Sequence, residues 1–231
     1  IMRQGRYVFS NYNEIYSSSV EEMKVVARKH KVQPLFSMPG IFVTTFSYSI
    51  LPIMITSMYS VEEAGYFSQS MLLLGMPLTL ISNNVSKVFF KNASNEKNKT
   101  GNFYTSFKST SFALIILSLI GFPILWIFAE PIFALVYGQK WLRSGTFVKL
   151  LIPMYATRFV VTSLMNGFII SGRQLYKLLL QSLFILEALA VFFLVRIYVL
   201  PVEDFLSLIN YSYLINYIIL FIALYNTSRR K

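Results

Sequence analysis

The chain has 231 residues, with 21 Lys and Arg against 10 Asp and Glu, a net charge of +11 and only 13% charged residues. That is about half the charged fraction of an average soluble domain, and with 55% hydrophobic residues it leaves an all-α, polytopic membrane bundle. Zero Cys exclude a disulfide scaffold and thiolate metal centres, and a single His, His30, excludes a His-rich metal site and most His-dependent triads, so no metal and no cofactor is expected.

Residues 1–35 form the longest polar stretch. Ser19 followed by Glu22 fits a capping box, and Val20, Met23, Val26 and Ala27 make an apolar strip flanked by Lys24, Arg28 and Lys31. A cytoplasmic segment with an amphipathic helix is expected there. Residues 36–228 follow as a six-span lobe. A bilayer core takes roughly 20 apolar residues as helix, and the spans are expected at about 36–59, 65–86, 109–129, 145–170, 178–200 and 205–226. Four of them lie in charge-free runs, Val32 to Val61, Ala64 to Ser86, Ser109 to Ala129 and Phe205 to Ser228. Residues 229–231 are a short basic tail.

The connections alternate in charge. The segment before the first span, the lysine-rich loop after the second (Lys87, Lys91, Lys97, Lys99, Lys108), the fourth connection (Arg173, Lys177) and the tail are basic. The loop with Glu62 and Glu63, the third connection (Glu130 to Ser144) and the one with Glu203 and Asp204 are acidic or mixed. By the bias of Lys and Arg toward the cytoplasmic side, both termini are expected in the cytoplasm. That placement accounts for the positive net charge without a nucleic-acid partner, which would need the bases gathered on one face.

Enzymatic motifs are missing. There is no Gly-x-x-x-x-Gly-Lys phosphate loop, and His30 lies outside every span, so a non-enzymatic protein is expected. Attention falls on ionisable groups inside the spans, which are costly in hydrocarbon and mark substrate or ion pathways. Arg158 and Glu187 each lie about 12 residues from the same end of consecutive antiparallel spans, at similar depth by a rise of about 1.5 Å per residue. A contact between them is geometrically allowed, either as a structural staple or as a polar wall of a conduit. Asn83, Asn84, Asn166 and Gln181 are further candidates for that wall, with interhelical hydrogen bonding as their plainer role. Lys149 and Arg196 lie near the acidic side, placed to snorkel, Arg196 also to pair with Glu203 or Asp204. Tyr48, Tyr59, Tyr66, Trp126, Tyr137, Trp141 and Tyr198 read as interfacial anchors. Pro39-Gly40, Pro52, Gly75 with Pro77, Gly121 with Pro123, Pro153 and Gly167 interrupt the spans, as in transporters.

Two stretches carry a resemblance. One runs from Gln33-Pro-Leu-Phe-Ser-Met-Pro39 through Ser49-Ile-Leu-Pro52, Glu63-Ala-Gly-Tyr-Phe67 and Gly75-Met-Pro77 to Ser86-Lys-Val-Phe-Phe90. The other is Val136-Tyr-Gly-Gln-Lys-Trp-Leu-Arg-Ser-Gly145, followed by Pro153, with Ser144 in place of a usual Ala. Their order is similar to the C-terminal half of the polysaccharide and O-antigen flippases, in the multidrug/oligosaccharidyl-lipid/polysaccharide exporter superfamily. The resemblance implies one lobe of a two-lobed exporter in the bacterial inner membrane. It would translocate undecaprenyl-diphosphate-linked oligosaccharide for surface polysaccharide, O-antigen or lipopolysaccharide, alongside membrane lipids and assembly partners such as a polymerase and a chain-length regulator. It also implies a basic residue for the diphosphate and an ion gradient for drive, roles for which Arg158 and Glu187 are the candidates. A cation-coupled drug antiporter of the same fold and a non-transporting six-span scaffold are the alternatives.

Overall fold

A backbone crossing hydrocarbon must satisfy every N–H and C=O internally, so long apolar runs without charge fold as helices. A computed structural model of the chain describes Glu21, Lys24, Val25 and residues 33–230. The amphipathic helix expected within residues 1–35 therefore lies almost wholly outside the described residues. The remainder is helical, with no strand among the described residues.

A one-turn π segment, Gln33–Ser37, leads into α1 (Met38–Met58). After a sharp turn come α2 (Val61–Pro77), a second π turn (Leu78–Ser82) and α3 (Asn83–Thr100), stacked end to end as one rod. Then follow α4 (Tyr104–Tyr137), a 3₁₀ turn (Gln139–Trp141), α5 (Leu142–Leu164), the single turn α6 (Gly167–Ile170), α7 (Gln174–Tyr198) and α8 (Val202–Arg229). Grouped by continuity, they give six helices long and apolar enough to cross a membrane: Leu35–Met58, Val61–Thr100, Tyr104–Tyr137, Gln139–Ile170, Gln174–Tyr198 and Val202–Arg229. The protein is a multi-pass membrane protein with an all-helical, six-span fold.

The lysine-rich stretch expected as a loop is helical instead, with Lys87, Lys91, Lys97 and Lys99 on α3 and Lys108 in the first turns of α4. At about 1.5 Å per residue the 40-residue rod is roughly 60 Å long, twice the hydrocarbon thickness. The lysines thus occupy a helical extension beyond the membrane rather than a loop. Gly101, with φ 84°, ends it in the left-handed conformation that only glycine adopts freely. Across the turn, Glu96 accepts backbone hydrogen bonds from Thr105 (2.9 Å) and Ser106 (2.7 Å), capping the start of α4.

Helix α5 organises the bundle. It is the most buried crossing helix and packs against α4, α8, α2 and α3, whereas α4 is the least buried and leaves Phe112, Leu119, Ile120, Ile127 and Phe128 exposed on the outside of the bundle. α7 packs on the far side, against α1 and α8. The two ends differ chemically. One end collects Glu62, Glu63, Glu130 and Glu203, with Lys140, Arg143 and Lys149 paired to them; the other carries the α3 lysines, Arg173, Arg229 and Arg230. At the acidic end, burial beside Asp204 and Glu203 pushes the Tyr59 hydroxyl up to about 12, so it remains a donor, bonding the Leu200 carbonyl at 2.9 Å.

Candidate functional site

Arg158 lies in the second half of α5, five residues beyond Pro153. Its guanidinium stacks on the Tyr48 ring of α1, 3.8 Å from the centroid, with the Tyr155 ring 5.1 Å away on its own helix. Stacking on the Tyr48 ring suits a guanidinium, which is planar and weakly hydrated, and no carboxylate pairs with it among the described residues.

Behind the guanidinium lies a buried aromatic cluster. Tyr48 meets Tyr213 edge-on at 5.4 Å, and Phe184 contacts Tyr213 at 4.9 Å and Tyr217 at 4.8 Å. Their hydroxyls are satisfied inside the cluster: Tyr48 and Tyr217 share a hydrogen bond of 2.8 Å, and Tyr213 donates to the Ser47 carbonyl at 3.1 Å. In front of it, an open cavity of about 380 Å³ separates α1, α2 and α5. Thr44, Thr45, Ser49 and Ser68 line it with hydroxyls, beside Tyr48, Pro52, Met71 and Arg158. One cation among hydroxyls and aromatic rings suits an anionic group attached to a hydroxyl-rich body: the guanidinium offers a fork of N–H donors and the rings offer flat faces for sugar C–H groups.

Glu187 is not part of this cavity. It lies on α7, and Asn216 of α8 donates to it at 3.5 Å and to the Leu180 carbonyl at 3.4 Å. Phe184, Tyr213 and Tyr217 intervene between Glu187 and Arg158. The contact that equal depth allows is absent because the two helices turn these residues toward different neighbours: Arg158 toward α1, Glu187 toward α8. Depth in a span is legible from sequence, whereas azimuth is set by which helix packs where.

The amide candidates disperse as well. Asn83 and Asn84 are exposed, and each donates back to its own helix, to the carbonyls of Thr79 (3.1 Å) and Leu80 (2.7 Å). Asn166 bonds the Ser86 hydroxyl at 2.9 Å, joining α3 to the end of α5. Gln181 is buried against Gly40, and a Cβ placed on Gly40 would stand 2.5 Å from its Oε1. None of the four lines the Arg158 cavity. Lys149 pairs with Glu130 at 2.8 Å beside the Trp126 ring, and Arg196 makes no pair with Glu203 or Asp204, since Arg143 occupies Glu203 at 2.9 Å.

Sequence reading misplaced Tyr48, which is not an interfacial anchor but a buried mid-span platform for Arg158. Two signals were available for this cluster: Tyr213 and Tyr217 recur at i and i+4 on one helix face, and Tyr155 precedes Arg158 by three residues.

A family model described as polysaccharide biosynthesis protein matches residues 18–146. The match ends just inside α5, so Arg158 and Glu187 fall beyond it. No curated protein and no solved structure matches the chain.

Proposed function

The chain belongs to the polysaccharide biosynthesis protein family, and from that membership we propose that it is part of a flippase that carries undecaprenyl-diphosphate-linked oligosaccharide across the bacterial inner membrane, without making or breaking a covalent bond in it. The product would feed surface polysaccharide, O-antigen or lipopolysaccharide, alongside a polymerase and a chain-length regulator. By the distribution of basic residues, the Arg173 and Arg229 end faces the cytoplasm, and with it both ends of the chain.

One observation carries the reading: a half-buried guanidinium with no carboxylate partner among the described residues, stacked on the Tyr48 ring at the wall of an open, hydroxyl-lined cavity between α1, α2 and α5. A charge left unpaired at that depth is costly unless a counter-charge arrives, and the substrate diphosphate supplies one. The same observation weighs against cationic-drug exchange, because a cationic substrate would meet Arg158 with like charge. In this scheme Arg158 holds the diphosphate, and Glu187 couples transport to an ion gradient from the adjoining α7–α8 seam.

The test is made in cells lacking the intact gene, complemented with variants at matched membrane levels. Arg158→Ala is expected to abolish surface polysaccharide and accumulate lipid-linked oligosaccharide inside. Arg158→Lys, which keeps charge but loses the planar stacking on Tyr48, is expected to restore only a minor part. Glu187→Gln is expected to abolish transport too, and normal polysaccharide in that variant would remove Glu187 from the mechanism while leaving Arg158. If Arg158→Ala supports normal polysaccharide, the flippase reading of the cavity fails; sensitivity to cationic drugs without lipid-linked intermediates would favour the antiporter. A stable protein whose loss changes neither would be a scaffold.

A further inference from the structure

At the basic end of the bundle, the start of α7 and the end of α8 enclose an open cavity of about 520 Å³. It is separate from the Arg158 cavity, shares no residue with it, and no carboxylate lines it. Arg173 and Arg230 line it with Tyr176, Asn226 and Thr227, and neither guanidinium has an ion-pair partner among the described residues.

Two further observations point to an anionic lipid. Arg173 is the N-cap of the 25-residue α7 and provides no side-chain cap, so the first amides of a long helix, at its positive end, are left for another acceptor. Second, the cavity continues into apolar surface. One turn on from Leu175, which lines it, Leu179 is exposed on α7, and one turn before Asn226, Ile222 is exposed on α8.

We propose that this cavity is a phosphate-binding site that holds the headgroup phosphate of an anionic membrane lipid, with the acyl chains running along Leu179 and Ile222. The two arginines supply charge and N–H donors, and the α7 amides complete the cradle. Tyr176, exposed at the rim, marks the level of the headgroups. The site would anchor the α7–α8 pair to the inner leaflet and does not depend on what the Arg158 cavity carries.

The test uses the purified full chain in a neutral detergent at fixed ionic strength, titrated separately with phosphatidylglycerol, phosphatidylcholine and inorganic phosphate, with thermal midpoint as readout. Expected is a saturable rise with phosphatidylglycerol and none with phosphatidylcholine. In the Arg173→Gln/Arg230→Gln double variant the half-saturating concentration should rise roughly 30-fold, as for two basic residues facing an anionic headgroup. Arg173→Gln by itself should raise it severalfold, and it serves alone if the double variant does not fold. Arg196→Gln, at the opposite end of α7, should titrate as wild type. A saturable response to inorganic phosphate with the same variant dependence would support the phosphate site and assign it a soluble occupant. A wild-type protein that responds to neither anion, or variants that titrate as wild type, would overturn the proposal.

Discussion

A single hydrogen atom fixes how closely α4 and α5 approach. Gly145 lies against the backbone of Glu130, and a Cβ there would stand 2.6 Å from the Glu130 Cα. Two of the three nearest atoms, the Glu130 Cα and N, are backbone, so relief requires the helices to part. Gly145→Ala is therefore expected to cost about 1–3 kcal/mol by overpacking, read as a lower thermal midpoint in detergent, whereas Gly65→Ala, which meets nothing within 4 Å, should leave it unchanged. Equal midpoints in the two variants would show that the contact carries no such constraint. At this scale the sequence is legible wherever a residue type is itself unusual. Arg158 and Glu187 stand out as charges in apolar runs, yet Tyr48 and Gly145 are ordinary residues in membrane helices, and their roles come from partners more than 14 residues away. Tyr48 illustrates this: it reads as one anchor among many until Arg158 is seen stacked upon it.

Among elements, the prolines divide into those that bend the chain and those that a neighbour compensates. Pro77 cannot donate to the turn before it, and the helix relaxes into the wider π turn Leu78–Ser82, from which Ser82 bonds the Phe159 carbonyl of α5 at 3.2 Å. Pro153 lies inside α5, and the following N–H, of Met154, is received by Asn210 Oδ1 of α8 at 2.9 Å. Asn210 is 2% exposed, so no water replaces it. Asn210→Leu, similar in volume, leaves that buried donor without its acceptor and is expected to lower stability by about 1–2 kcal/mol. Pro153→Ala should rescue part of that loss by restoring the helical ladder; loss of equal size in the presence and absence of Pro153 would separate the two. The breakers were visible as residue types, but the pairing of Pro153 with Asn210 was not, since 57 positions separate them.

Across the whole molecule, charge is sorted by end. At the acidic end Arg143 bridges Glu63 of α2 at 2.7 Å and Glu203 of α8 at 2.9 Å, tying three helices together through α5. Lys140 reaches Glu62 at 3.6 Å, and Tyr66 donates to the same carboxylate at 2.7 Å. These groups are partly exposed, so the network is worth little per pair and is sensitive to salt. Arg143→Gln is expected to lower stability by about 1 kcal/mol at low ionic strength, with the difference from wild type shrinking in molar salt. A difference that is unchanged by salt would mean that Arg143 acts by packing on Phe147, whose ring lies 5.4 Å from its guanidinium.

The number of spans, the helical class, the two-ended charge distribution and the family were all set by the sequence, because hydropathy and local composition act along the chain and need no knowledge of neighbours. The helical extension carrying the α3 lysines, the separation of Arg158 from Glu187 and the dispersal of the four amides were decided only by the tertiary structure. The last two depend on the rotation of a helix about its own axis, and that rotation is chosen by packing against partners distant in sequence.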